Sequence, residues 1–417
     1  MTTNRDLWQF PWGYPESALF VEAIVFTGFL LQFAVGPFDF ALLRAPANFI
    51  ALALLAVLIF LGVRFQDAPI ARWIAGIPLA VMLTVALLLL GLCMEFTPQL
   101  ARLPPQADDL GSQLGLRMMT SSWPFVLLYG LLLITLGIAT GKRLRHFSRR
   151  DFAFLCNHLG LWVLLASSGL GAADILRAVM EVREGETEWR ARDGKTGKML
   201  ELPIAITLRD FVMEEYPPKL AIVDRETSQP QPEGRPDFYQ IDPKHPQGRI
   251  GGWAITLNRY LHEAVRVNEE FRPSPMQEST PAAAITAHRL ASGETRTGWV
   301  SSGGKVPFFA SPLILDEGHA LVMTEPEPKR FASDITIIPR GGTPIDAILE
   351  VNQPVTVGDW MIYQYSYDST AGKMSSYSQI ELVYDPWLLP ARIGMALMAV
   401  GAVLLVWNGA GRRRRYR

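Results

Sequence analysis

The chain has 417 residues, a formal net charge of −1, 49% hydrophobic residues and only 19% charged ones. With its apolar residues gathered into long runs, this is the balance of an integral membrane protein, and its basic clusters call for no nucleic-acid partner. The only two cysteines, Cys93 and Cys156, fall in different apolar runs near opposite membrane faces. That excludes a disulfide scaffold, a CxxC thiol relay and a CxxCH haem-attachment site.

Met1–Ser17 lacks a basic n-region, and the run after it is a full span, so the first helix is expected to stay as a signal anchor. Runs near the required length, roughly 17–25 residues, lie at about Ala18–Val35, Phe49–Val63, Ile74–Met94, Phe125–Thr140, Phe152–Ala173 and Ile393–Trp407. The second, fourth and last are short, and flanking residues or local bilayer thinning must make up the difference. Between the fifth and sixth runs lies a stretch of ordinary soluble composition, long enough for a domain with its own core. The expected fold class is a polytopic α-helical membrane protein of about six spans, with a large, mostly β periplasmic domain inserted between the fifth and last spans. The expected boundaries are 1–150 for a four-span bundle, 151–180 for the fifth span, 181–387 for the β-rich domain, and 388–417 for the last span and a basic tail.

Orientation follows from the excess of Lys and Arg in short cytoplasmic loops. Lys142, Arg143, Arg145, Arg149 and Arg150, and the tail residues Arg412, Arg413, Arg414, Arg415 and Arg417, must face the same side. Six crossings satisfy both groups. Arg5, Arg64 and Arg72 are then also inside, and only Arg44, Arg102 and Arg117 lie in short outer loops. Both termini would be cytoplasmic, and in a bacterium the large domain would be periplasmic on the inner membrane.

From Glu201 to Asp385 the chain reads as short strands punctuated by Pro and Gly: LPIAITLRDFVM, GGWAITL, KVPFFASPLIL, HALVMTE, SDITIIP, IDAILEVN, DWMIYQYSYD and YSQIELVYD. A β-sandwich is expected, with one helix around Leu257–Glu270 and a mobile Pro-rich stretch from Ser228 to Gly248. His245, His262, His288 and His319 are scattered and form no metal-ligand spacing; His262 reads as a solvated histidine. There is no GxSxG, P-loop or kinase signature, and Gly169-Leu-Gly171 inside a span reads as a helix-packing surface.

The fifth run, FAFLCNHLGLWVLLASSGLGAA, carries one ionisable side chain in the histidine-to-metal class, His158. An ionisable group at membrane depth marks a functional site by default, and neutral imidazole is a haem iron ligand. Counting about 1.5 Å per residue, His158 lies about 9 Å beyond Phe152, in the cytoplasmic half of the bilayer. Phe154, His158, Trp162, Leu165 and Gly169 follow at helical steps and share one face. Phe154 and Trp162, one turn to either side, are placed to flank a porphyrin plane. The competing reading is that this face packs in the bundle and His158 is a structural, hydrogen-bonded histidine. Glu22 lies near the inner interface, where a carboxylate reaches water or orients an imidazole. Asp174 and Arg177 read as a helix pair at the outer end, and His146 as a solvated residue of the basic loop.

Three segments carry a family resemblance: VNQPVTVGDWMIYQYSYDSTAGKMSSYSQIELVYDPW before the last span, LPIAITLRDFVMEEYPPKL after the fifth, and NHLGLW within it. In this order they resemble the ResB/CcsB proteins of System II cytochrome c biogenesis, from about residue 150 to 408. The resemblance implies a subunit that pairs with a CcsA/ResC-type protein carrying a tryptophan-rich WWD segment. Together the two would move haem b outward and attach it to CxxCH apocytochromes c. It also implies that the matching transmembrane histidine, His158, is an axial ligand to haem iron. No WWD-like cluster occurs in this chain, and no general acid–base pair is visible. At most it is one subunit of a haem-lyase complex, in contact with membrane lipid and with no nucleic acid. Two alternatives stand beside this: a scaffold that stabilises the partner and docks apocytochrome without binding haem, and a solute transporter. Against the transporter, no pair of broken helices or inverted repeat is seen.

Overall fold

The computed structural model describes residues 8–100, 109–274, 279–303 and 310–413. Arg5, Arg102, Arg414, Arg415, Arg417 and the first residues of KVPFFASPLIL lie outside the described residues. The chain divides into two compact units, Met1–Leu176 with Tyr384–Arg417, and Arg177–Val383.

The first unit is helical: α1 (Tyr14–Val35), α2 (Ala47–Arg64), α3 (Pro69–Ile74), α4 (Ile77–Glu95), α5 (Leu110–Gln113), α6 (Trp123–Arg145), α7 (Phe152–Gly171) and α8 (Leu388–Arg413). Among the described residues, six helices are long and apolar enough to cross a membrane: α1, α2, α4, α7, α8 and the one that contains α6. The three short runs reach that length through flanking residues. Asn48 and Arg64 extend the second, Trp123 and the basic end at Arg145 the fourth, and Leu388–Arg392 the last. The third run breaks. Pro78 opens α4 beside Gly76, so Ile74 belongs to the separate α3.

Apolar side chains gain nothing by leaving lipid for one another, so these helices associate where small residues let backbones approach. A Cβ on Gly160 would fall 2.5 Å from the Met398 nitrogen and 2.6 Å from the Gly394 carbonyl oxygen. One on Gly394 would fall 2.7 Å from the Leu164 nitrogen, and one on Gly401 2.3 Å from the Asn157 nitrogen. The order of these contacts makes α7 and α8 antiparallel, with backbone lying on backbone. Gly62 and Gly137 play the same part between α2 and α6, receiving Ile138 and Ile59. Val21, Trp73, Leu79, Leu83, Met119 and Leu128 belong to one buried cluster among α1, α3, α4 and α6.

Apart from a single 3-10 turn at Gly372–Met374, the second unit is strands, turns and loops among the described residues. An eight-stranded sheet runs β14 (Ile345–Glu350), β13 (Pro328–Pro339), β3 (Met199–Glu215), β2 (Thr187–Asp193), β1 (Leu176–Arg183), β17 (Tyr377–Tyr384), β16 (Trp360–Tyr367), β15 (Val355–Val357). Burial alternates along β3 at Leu202, Ile204, Ile206 and Leu208, then resumes at Phe211 after a bulge between Leu208 and Asp210. The sheet curls until its ends approach. Ser333 on β13 bonds Gln364 on β16 (2.6 Å) and Ser378 on β17 (2.9 Å), in a buried network that Gln364 completes by donating to Ser378 at 2.9 Å.

The other two sheets form the expected sandwich. One is β10 (Thr295–Ser301), β9 (Thr280–Arg289), β7 (Trp253–Val267) and β6 (Gln247–Ile250), with β8 (Glu270–Pro273) on β7. The other is β11 (Leu313–Ile314), β12 (His319–Met323), β4 (Lys219–Asp224) and β5 (Phe238–Gln240). Leu220, Ile222, Ile255, Ile285, Val300 and Leu321 share their core.

Two expectations are corrected here. The segment around Leu257–Glu270 is strand, not helix. Bulges between Leu257 and Arg259 and between Leu261 and Ala264 each add a residue to β7. They break the alternation and leave Leu257, Leu261 and Ala264 at spacings of four and three, which imitate a helical period. The Pro-rich stretch from Ser228 to Gly248 is not structureless either. It contains β5 and the start of β6 and buries Tyr239 and Ile241.

Gly160→Ala is expected to lower stability by ~1–3 kcal/mol through the backbone clash. Gly91→Ala, whose Cβ meets nothing within 4 Å, should be neutral or slightly stabilising. Thermal unfolding of the two variants in detergent separates these outcomes.

Candidate functional site

Helix α7 begins at a braced corner. Asp151 accepts from Ser148 Oγ (2.6 Å) and pairs with Arg143 of α6 (2.6 Å), which fixes the α6–α7 connection. With one face of α7 committed to α8 through Asn157, Gly160 and Leu164, its other face meets α6. There the Arg143 guanidinium lies 5.1 Å from the centre of the Phe154 ring. Trp162 Nε1 donates to the Leu133 carbonyl at 3.0 Å, and Tyr129 donates its hydroxyl proton to the Leu165 carbonyl at 2.7 Å. A Cβ on Gly169 would sit 2.8 Å from the Tyr129 ring.

His158 lies in the middle of this face, half-buried. Its imidazole stacks on Phe154, ring centres 3.7 Å apart and planes 23° apart. Its Nδ1 is 3.1 Å from the Phe154 carbonyl oxygen. That oxygen only accepts, so Nδ1 carries the proton, and the neutral ring keeps its lone pair on Nε2. Nε2 has no hydrogen-bond partner among the described residues. A donated Nδ1 proton fixes the tautomer and ring orientation, which is the arrangement of a metal-ligating imidazole.

The structure therefore brings His158 and Phe154 into ring contact, while Trp162 is held by α6 through its indole N–H. Arg143, read from the sequence only as a topology signal, is the neighbour that sequence reasoning missed; its approach to Phe154 depends on the hairpin turn and leaves no local pattern. His146 is exposed and lies 3.4 Å from the Gln66 amide at the end of α2. Glu22 is exposed on α1. In the β unit, His245 pairs with Asp242 at 2.7 Å and His319 with Asp316 at 2.8 Å, while His262 is exposed on β7.

At the far end of α7 the expected Asp174–Arg177 helix pair is not formed. The helix stops at Gly171, and Arg177, already in β1, lies 3.7 Å from Glu381. Asp174 instead accepts from Asn48 Nδ2 (2.6 Å), the Ala45 N–H (3.0 Å) and Trp387 Nε1 (2.8 Å). It thereby ties together the starts of α2 and α8 and the end of α7. Burial pushes its carboxyl upward, but the hydrogen bonds from Ala45, Trp387 and Asn48, with the Arg44 charge, outweigh burial and hold it below the usual carboxylate range.

Among the described residues, six helices long and apolar enough to cross a membrane, with a large β-rich unit between the last two, are compatible with a multi-pass membrane protein. Residues 313–386, which run from β11 to the approach of α8, match the model of the ResB-like family, consistent with the ResB/CcsB resemblance. That family is associated with cytochrome c biogenesis. No curated protein matches the chain.

A depressed carboxyl gives stability that is full above the unfolded value, about 3.9, and is lost as pH falls through the lower folded value. Asp174→Asn should lower the thermal midpoint at pH 7 and flatten its decline below about pH 4, as followed by Trp fluorescence.

Proposed function

We propose that this chain is a membrane subunit of cytochrome c maturation in which His158 holds the iron of haem in transit. Haem is the cargo, and the chain's own part is ligation and positioning. His158 offers the Nε2 lone pair, the Phe154 carbonyl fixes the ring by accepting the Nδ1 proton, and the Phe154 ring backs the imidazole. The open Nε2 in a span with no other acidic or basic side chain is the observation that carries the reading, and the family match at residues 313–386 supports it.

The orientation belongs to the same proposal. Because α6, α7 and α8 alternate in direction, the basic end of α6, the start of α7 and the end of α8 gather on one side. The positive-inside rule makes that side cytoplasmic. The β unit leaves from the opposite, Asp174 end, which in a bacterium is periplasmic. There it would dock CxxCH apocytochrome c or brace a CcsA/ResC-type WWD partner that supplies the remaining haem ligands. Thioether formation is assigned to that outer site and not to this chain alone.

One observation favours a second reading. The family match lies almost wholly in the β unit and does not reach α7. A scaffold that binds partner and apocytochrome through the β unit, with His158 structural, accommodates that as well.

The deciding measurement is the visible spectrum of the detergent-purified chain with its WWD partner. Haem ligation predicts that His158→Gly loses most of its Soret band and that added imidazole restores it. Indistinguishable spectra would leave the scaffold reading standing.

A further inference from the structure

Three basic side chains close the end of α6, and their contacts set one of them apart. Lys142 turns to α3, donating to the Ala71 carbonyl at 3.0 Å, and Arg145 turns to α2, donating to the Val63 carbonyl at 3.3 Å. Both contacts suit charges that only mark a membrane face. Arg143 instead turns to α7. Its guanidinium lies 5.1 Å from the centre of the Phe154 ring, and that ring lies 3.7 Å from the centre of the His158 imidazole. A cation, an aromatic ring and the candidate iron ligand thus follow one another from the basic end of the bundle into the span.

The guanidinium is only partly engaged. Asp151 takes one N–H, from Nη1 at 2.6 Å, and the Nε and Nη2 hydrogens have no hydrogen-bond partner among the described residues. Those two nitrogens form the planar edge that donates to both oxygens of a carboxylate at once. The side chain is 57% exposed, so this edge is accessible. The ion pair with Asp151 explains a local brace, but a brace needs neither an open edge nor a position over Phe154.

Haem carries two propionate carboxylates on one side of an apolar macrocycle. Charge at membrane depth is costly, so with its iron on His158 that side turns to the nearest polar boundary. The nearest boundary is the start of α7, about 9 Å back along the helix. Arg143 stands there, and its distance from the imidazole by way of Phe154 matches the reach of a propionate arm from iron held at Nε2.

We infer that the open edge of Arg143 binds a propionate of the haem whose iron His158 holds, so that the site selects a tetrapyrrole with free carboxylates. This rests on the haem-ligation reading of His158. It also fixes which edge of the cargo leads. The propionates face the basic end of α6, and the vinyl groups, on the opposite edge of the macrocycle, point toward the Asp174 end.

The test titrates haemin, and haemin dimethyl ester with no free carboxylate, into the haem-depleted complex with the WWD partner in detergent, reading binding from the Soret band. Wild type should bind haemin about tenfold more tightly than the diester, the scale of one charge-assisted bidentate pair. Arg143→Gln should weaken haemin by about the same factor and leave the diester unchanged. It should also keep the position of the Soret maximum, because His158 still holds the iron. Asp151→Asn breaks the same ion pair but keeps the guanidinium, and should keep the preference for haemin. Equal affinity of wild type for the two probes, or a preference that survives Arg143→Gln, would overturn the inference and leave His158 ligation intact. So would equal weakening of both probes by Arg143→Gln, or the same loss in Asp151→Asn, since either assigns the effect to the brace. If His158→Gly binds haemin with wild-type affinity and spectrum, the ligation reading itself fails and the role of Arg143 goes with it.

Discussion

The helical unit turns on the contact between α7 and α8, where Gly160, Gly394 and Gly401 let the two backbones touch. Once one side of α7 is committed to that contact, its rotation is set. Phe154, Trp162, Leu165 and Gly169 must then face α6, and His158 with them. The ligand candidate is oriented less by its own hydrogen bond than by the absence of side chains on the other side of its helix. Packing of this kind also explains why the face reads as both structural and functional. Trp162 and Tyr129 spend their polar hydrogens on α6 and α7 carbonyls respectively, while His158 Nε2 is left without a partner among the described residues.

The two ends of α7 are secured by different chemistry. At the basic end a single ion pair, Arg143 with Asp151, closes a short connection in contact with water. At the other, Asp174 gathers an amide, a backbone N–H and an indole from chain segments far apart in sequence. The first is geometrically local, and surface ion pairs of its kind contribute little. The second joins three helices and coincides with the point where the chain departs into its β unit. Rigidity is thus concentrated at the Asp174 end, while the end nearer His158 is held by a ring stack and an exposed arginine.

Much of this was legible in the sequence, for definite reasons. Runs of apolar residues longer than a core helix needs announce spans, and a lone histidine in one of them stands out because its cost there is high. The strands were readable where alternation was undisturbed, as in Ile335 and Ile337 on β13. β7 was not, because two bulges shifted its phase and gave Leu257, Leu261 and Ala264 a helical spacing. Asp174 was paired with Arg177 by proximity along the chain, whereas its partner Trp387 lies 213 residues away. Asn48, which also binds Asp174, lies 126 residues away. What failed in each case was a contact that only tertiary structure creates.

The curled eight-stranded sheet sets β1, the first strand of its unit, beside β17, the last. A chain emerging from a ribosome delivers β1 long before β17, so β1 waits with one edge open until nearly the whole unit has been made. Ser333 has the same wait for Gln364 and Ser378. Completion of the sheet thus coincides with the arrival of α8. Assembly of the α7–α8 hairpin and closure of the sheet become one timed event, and a truncation between β1 and residue 377 would strand both.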